Sequence, residues 1–400
     1  MAATLTPIQQ PSESVSQRPR RLMMPLDPLL TLAVIGLGIF SLVTISVTTQ
    51  VNQTGNPHYF VERQAIYLGV GLLLMVALSR FDYGLLRQFK YWIYGLLILI
   101  LLAVLALGSS ALGSTRAISL PLFSFQSSEI GKVLLVVFTA SLLVDRVRRL
   151  HDRQTTALVI ALMLVPTVMV IAEPDLGSSL VYISVALGVL FVAGTPWRHF
   201  AALGLLAAIA LTIALALAPA LGVHVLSKYQ EERLTGFLTT HVESPEAQRQ
   251  RYQQEQSKIA IGAGRQTGLP HVGPAQSSFV PFDESDFIFA AVSEQHGFVG
   301  AALVLALYAL LIWRCMRILT MSRDLYGSLI AAGVTAMLMC QVFVNVGVAV
   351  GIMPDTGITL PLMSYGGSSV LTTMLALGLL QSIYVRARSP EGAKSPVGRW

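Results

Sequence analysis

Long apolar runs alternate with short polar connections over almost the whole chain. Ten of these runs approach the roughly 20 residues needed to cross a bilayer core of about 30 Å. They cover 27–48, 64–80, 90–110, 128–144, 155–172, 175–194, 199–221, 286–313, 325–352 and 364–385. The pattern predicts an all-α polytopic membrane protein of about ten transmembrane helices. One interruption differs from the rest. Between about Gly222 and Ser285 the chain is polar and charged, which predicts a large loop between the seventh and eighth helices. Inside it, Glu246 to Ile261 lacks glycine and proline and predicts a polar-to-amphipathic helix. Gly262-Ala-Gly264 then reads as a flexible turn. The loop ends in Val280-Pro-Phe-Asp-Glu-Ser-Asp-Phe-Ile-Phe289, with Asp286 at the mouth of the next apolar helix. A carboxylate is costly to keep at a water–lipid boundary, so chemistry is sought there first.

Composition agrees with the pattern. The chain is 54% hydrophobic and 12% charged, against about 25% charged in soluble domains. Its two cysteines, Cys315 and Cys340, are too few for a disulfide framework. The formal charge of +6 reads as a topology signal rather than a nucleic-acid surface. Most of the 27 lysines and arginines fall on one side of the predicted bundle. The short loops of the other side carry only Arg63, Arg116 and Lys132. By the positive-inside rule both termini are cytoplasmic and the 222–285 loop is extracytoplasmic. Residues 1–25, rich in proline, serine and arginine and without a signal-peptide core, read as a disordered cytoplasmic tail. Residues 389–400 form a second cytoplasmic tail, and the expected location is the cytoplasmic membrane.

Polar groups gather on the outer side. In Phe125-Gln-Ser-Ser-Glu-Ile-Gly-Lys132, Glu129 and Lys132 are three apart and can pair on one helix face. They read either as a structural ion pair or as site residues. In Ala172-Glu-Pro-Asp-Leu-Gly-Ser179, Asp175 can cap the next helix, whereas Glu173 has no such role and is a functional candidate. The stretch Gly351 to Ser369 mixes prolines and glycines with apolar residues. At membrane depth that backbone must be satisfied by protein or line a cavity, so it predicts a re-entrant or cavity-lining loop. Asp286 has two readings: a helix cap, with Ser285 as the other candidate, or a general base. No internal repeat is visible, which speaks against an inverted-repeat transporter.

Read together, Ser128-Glu-Ile-Gly-Lys132, Pro174-Asp-Leu-Gly177, Gln256-Ser-Lys-Ile-Ala-Ile-Gly262, Ser285-Asp-Phe-Ile-Phe289 and Pro361-Leu-Met-Ser-Tyr-Gly-Gly-Ser368 resemble the SEDS family (shape, elongation, division, sporulation). These are polytopic peptidoglycan glycosyltransferases that include RodA and FtsW. The motifs keep the family's order over roughly residues 27–388, and 26–388 is taken as the SEDS-like domain. Gln256–Gly262 and Ala193-Gly-Thr-Pro-Trp-Arg198 look more like RodA, the elongation member. Departures are present too. Glu173 stands for a usual glutamine, Ser127 for a usual proline and Arg265 where glycine is common. Val280-Pro-Phe-Asp-Glu-Ser285 replaces Leu-Pro-Glu-Arg-His-Thr, making the approach to Asp286 more acidic.

The resemblance implies polymerisation of lipid II on the outer face of the membrane, with release of undecaprenyl pyrophosphate. It implies Asp286 as the catalytic residue and Arg233, Lys258, Gln256, Glu129, Lys132 and Ser364 as substrate-binding residues. Arg233, Lys258 and Lys132 are its candidate cations for the pyrophosphate. A divalent cation such as Mg or Mn bridging to the pyrophosphate has no supporting ligand spacing. The implied partner is a class B penicillin-binding protein, a transpeptidase that crosslinks the undecaprenyl-linked glycan. An FtsW-like septal role is the alternative within the family. From other classes, a lipid-linked precursor flippase predicts functional charges along the whole crossing, yet the inner halves of the helices are nearly charge-free. A silent scaffold is opposed by the retained Asp286.

Overall fold

The structure is a computed structural model that describes residues 26–48, 58–107, 109–111, 114–119, 124–173, 175–213, 245–269 and 286–388. The 1–25 and 389–400 tails, Pro174, Arg233 and the acidic Phe282–Glu284 stretch lie outside the described residues, as does most of the 222–285 loop.

Each of the ten apolar runs is a helix. They are α1 (Pro28–Thr48), α2 (Tyr59–Arg80), α4 (Lys90–Leu107), α5 (Ser127–Asp145), α6 (Arg153–Ala172), α7 (Leu176–Val192), α8 (Trp197–Thr212), α10 (Ile288–Met321), α11 (Leu325–Ala349) and α12 (Gly367–Arg388). A single turn, α3 (Tyr83–Leu86), leads into α4, and α9 (Pro245–Ala263) is the helix expected within the polar loop. Among the described residues eight helical spans are long and apolar enough to cross a membrane, while α7 and α8 are shorter. The bundle is all-α in its architecture, with one small addition that the hydropathy pattern did not reveal. The run expected to be helical to residue 110 ends at Leu107. Three short antiparallel strands follow, in the order β1 (Ser109–Ala111), β2 (Ser114–Ser119) and β3 (Ser124–Gln126). Serines and a threonine in that stretch fit a pleated ribbon better than a lipid-facing helix.

The helices α5, α11 and α12 form the centre. In α5 and α12, 83% of the most apolar window is buried, against 17% for Tyr83–Ala106 at the periphery. Where lipid supplies no hydrophobic drive between helices, close backbone approach must do so through small residues. The pair α2 and α12 uses this device. A Cβ on Gly71 would meet Met374 Cγ at 2.7 Å, and one on Gly378 would meet Met75 backbone at 3.1 Å. Leu32, Ile35 and Ile39 of α1, spaced three and four apart, are exposed. Such a stripe is costly in water and costless in a bilayer.

The two ends of the bundle differ. One end is basic and tied by ion pairs. Arg87 Nη2 lies 2.7 Å from Asp145 Oδ1, and Lys90 joins the same carboxylate. Asp27 caps α1 by accepting from Leu29 and Leu30 N–H, and it is bound by Arg314 of α10. Its own N–H donates to Gln381 Oε1 of α12 at 2.8 Å. The chemistry-bearing residues lie at the opposite end.

Candidate active site

Beside the start of α5 three segments meet. Lys132 Nζ pairs with Glu129 Oε1 at 2.6 Å, as their spacing predicts, and both are buried. The Ser127 hydroxyl donates to both Glu173 oxygens at 3.2 and 3.0 Å, and Ser128 donates to Asp175 Oδ2 at 2.9 Å. Asp175 also accepts from Ser178 N–H at 2.9 Å, the expected cap of α7. Gln126, the last residue of β3, donates its side-chain amide to Asp175 and its backbone N–H to Ser368 Oγ at the start of α12. Tyr182 of α7 donates to the Ser128 carbonyl at 3.2 Å. Burial is the main reason the Glu173 carboxyl is pushed up to about 7; Ser127 pulls it down, and neighbouring Asp175 adds to the rise. Lys132 is 1% exposed and committed to Glu129.

The second part is the stretch from Gly351 to Gly366. Its backbone is irregular, yet residues 360–364 are buried. Irregular backbone survives burial only if its polar groups find partners. Five elements supply them. Ser41 of α1 donates to Met363 O at 2.7 Å and Gln64 of α2 to Ser364 O at 3.2 Å. Tyr308 of α10 donates to Pro361 O at 2.6 Å. Asn345 of α11 donates to Ile358 O at 2.8 Å, and Gln254 of α9 to Met353 O at 2.7 Å. Within the segment, Leu360 N–H donates to the hydroxyl of Ser364, itself 1% exposed. Thr359 and Ser369 hydroxyls are 2.8 Å apart. The protein-satisfied loop expected from prolines and glycines at depth is present.

The third part is the described piece of the polar loop. Helix α9 docks on the last carbonyls of α11. Gln254 donates to Val348 O at 3.1 Å and Ser257 to Ala349 O at 2.9 Å. The exposed Lys258 lies across Gly351, where a Cβ would come within 2.9 Å of Lys258 Cδ. Gln256 is half-buried on the same helix. After α9 the chain is not the free turn expected at Gly262–Gly264. A Cβ at Gly264 would overlap the Ser293 carbonyl, so glycine is required by close approach. Residues 265–269 are spliced into a break in α10, where Gly297 takes φ 63°. Leu269 N–H donates to Glu294 O at 2.9 Å, and Phe298 N–H donates to Arg265 O at 2.9 Å.

Asp286 stands at the start of α10, half-buried. The N-cap of that helix is Phe287, so Asp286 precedes the cap position rather than filling it. Its carbonyl accepts from Asn345 Nδ2 at 2.8 Å. Asp286 and Ile358, of the buried loop, are thus joined through Asn345, and Lys258 reaches the same loop through Gly351. Among the described residues no three His, Cys, Asp or Glu side chains gather as metal ligands. Sequence reasoning passed over Asn345, Gln64, Gln254 and Tyr308. The signal for Asn345 is an amide inside an apolar helix, where a polar group demands a partner.

Residues 25–389 match the FtsW/RodA/SpoVE family, described as cell cycle protein. The peptidoglycan glycosyltransferase MrdB of Escherichia coli (strain K12) is 32% identical over 365 residues, covering 91% of this chain and 94% of its own length. The probable peptidoglycan glycosyltransferase FtsW of Alkalilimnicola ehrlichii is 34% identical over 386 residues, covering 93% and 92%. A solved chain from work on how a peptidoglycan synthase complex coordinates polymerization and crosslinking superposes with a TM-score of 0.72. It is 30% identical, with 92% of this chain and 99% of that chain covered. Matched over nearly its full length, the chain belongs to the FtsW/RodA/SpoVE (SEDS) family of integral membrane proteins.

Proposed function

We propose that this protein polymerises lipid II into glycan strands at the outer face of the cytoplasmic membrane, with both termini in the cytoplasm. The observation that carries the reading is Asp286, held at the start of α10 against the buried 351–366 loop. In the proposed step a sugar hydroxyl of one lipid-linked disaccharide attacks the anomeric carbon of the growing chain. The Asp286 carboxylate takes the hydroxyl proton as the new C–O bond forms. The bond to the undecaprenyl pyrophosphate breaks, and the leaving group carries away the electron pair. Negative charge growing on it needs fixed positive charge nearby. Lys258, exposed beside Gly351, and Arg233 fill that role; Gln256 is placed on α9 to touch sugar or phosphate. Glu129, Lys132 and Ser364, all three buried, are the remaining proposed substrate-binding residues.

The motifs Gln256–Gly262 and Ala193–Arg198 favour an elongation role. FtsW relatives of comparable identity keep a septal role as the second reading. A class B penicillin-binding protein is the proposed partner, in line with the synthase complex whose chain resembles this one. The test is in-membrane polymerisation of labelled lipid II by wild type and Asp286→Asn, with and without that partner. Wild type should build polymer, and Asp286→Asn should lose activity by a factor of about 100 or more. Full polymerisation by the variant would sink the general-base assignment. Movement of lipid II between leaflets without polymer would favour a flippase.

A further inference from the structure

We propose that Asn345 is a positioning residue for this reaction, fixing the peptide that carries Asp286 against the buried Ile358 of the 351–366 loop. The inference rests on the reading of Asp286 as the base. Asn345 lies inside the apolar helix α11 and is 2% exposed. Its amide has two hydrogens, and both are committed at 2.8 Å, one to Asp286 O and one to Ile358 O. Its own Oδ1 is buried and has no hydrogen-bond partner among the described residues. A side chain kept only to satisfy itself would not leave its acceptor bare, so its geometry is set by the two carbonyls it joins.

Asp286 precedes the cap of α10, and the first helical amides, of Ala290 and Ala291, bond to Phe287 O instead. Ile358 in turn is wedged against α7. A Cβ at Gly177 would meet Ile358 Cγ1 at 2.5 Å and Thr356 O at 2.6 Å. Asn345 therefore ties the start of α10 to a body anchored on α7 and α11. A general base must meet its proton within hydrogen-bond reach, and displacement by about 1 Å costs on the order of a hundredfold in rate.

The experiment measures kcat and KM for labelled lipid II in full-length Asn345→Ala and Asn345→Asp, beside wild type and Asp286→Asn. Gln381→Ala is the control. It removes another buried inter-helix amide, but at the opposite end of the bundle. For folded protein, Asn345→Ala is expected to lower kcat by about ten- to hundredfold with KM within about twofold. Asn345→Asp, which faces two carbonyls with a carboxylate, should fall at least as far. If Asn345→Ala fails to accumulate, Asn345→Gln keeps the amide, displaces it by one methylene and carries the same expectation. A kcat per folded molecule equal to that of Gln381→Ala, with Asp286→Asn inactive, overturns the positioning role and leaves the base standing. Full activity of Asp286→Asn overturns the base itself, whatever the Asn345 variants do.

Discussion

At Arg265 the backbone takes φ 48°, the left-handed region where a Cβ crowds the next carbonyl. The residue is exposed, so no packing of its side chain explains why arginine stands where the family often has glycine. The position needs its carbonyl, which accepts from Phe298, and not its side chain. Relief of about 1–2 kcal/mol of strain, less about 0.5–1 kcal/mol of added unfolded-state freedom, leaves a net gain. Arg265→Gly is expected to stabilise the protein by about 0.5–1 kcal/mol, read as a higher thermal midpoint in detergent. A lower midpoint would mean the guanidinium does something that the hydrogen bonds of its backbone do not reveal. Leu362, with φ 68° and 1% exposure, carries the same backbone strain inside the buried loop. There Tyr308 and Ser41 hold the neighbouring carbonyls and keep it in place.

At the level of elements, the buried 351–366 segment is fastened by side chains rather than by a ladder or a helix. Losing one fastener leaves a buried carbonyl bare. Tyr308→Phe keeps the ring and removes only the donor to Pro361 O. It should cost about 1–3 kcal/mol, measured as a drop in thermal midpoint; no change would mean that water replaces the hydroxyl. Much of this level was legible in the sequence. Apolar runs located every crossing helix, and proline with glycine at depth flagged the buried loop. Helix ends were read less well, for a specific reason. Charged residues inside a helix lower its apparent apolarity, so α2 begins at Tyr59, ahead of Glu62 and Arg63. Likewise α10 continues past Arg314, whose charge is met by Asp27. The fastening side chains were hidden because serine, tyrosine or a single amide inside an apolar stretch hardly alters its hydropathy. Only coordinates bring Asn345 to Asp286, across 59 residues of chain.

Across the whole molecule, structure and chemistry divide between the two ends. The basic end holds the Asp27–Arg314–Gln381 junction, which joins α1, α10 and α12. Asp27 is fully buried, and Arg314 is 11% exposed at its side chain. Asp27→Ala strips the cap of α1 and leaves the guanidinium unpaired, at an expected cost of about 3 kcal/mol. Polymerisation per folded molecule should be unchanged, because Asp286 lies at the far end. A fall in specific activity equal to that of Asp286→Asn would show that the two ends are coupled. The candidate site itself was legible as a set of polar motifs on one side. What the motifs could not say is that Lys132 and Ser364 face inward while Lys258 faces out.

The splice of residues 265–269 into α10 has a consequence for how this protein can vary. Residues 270–285 begin at Leu269, bonded to Glu294, and end at Asp286, on the same helix. Both stems are therefore moored roughly 10 Å apart along one axis. For any chain held between two such moorings, doubling the length adds only about 0.6 kcal/mol of closure entropy. The mooring of Leu269 on Glu294 is a backbone bond, so it does not depend on which side chains follow.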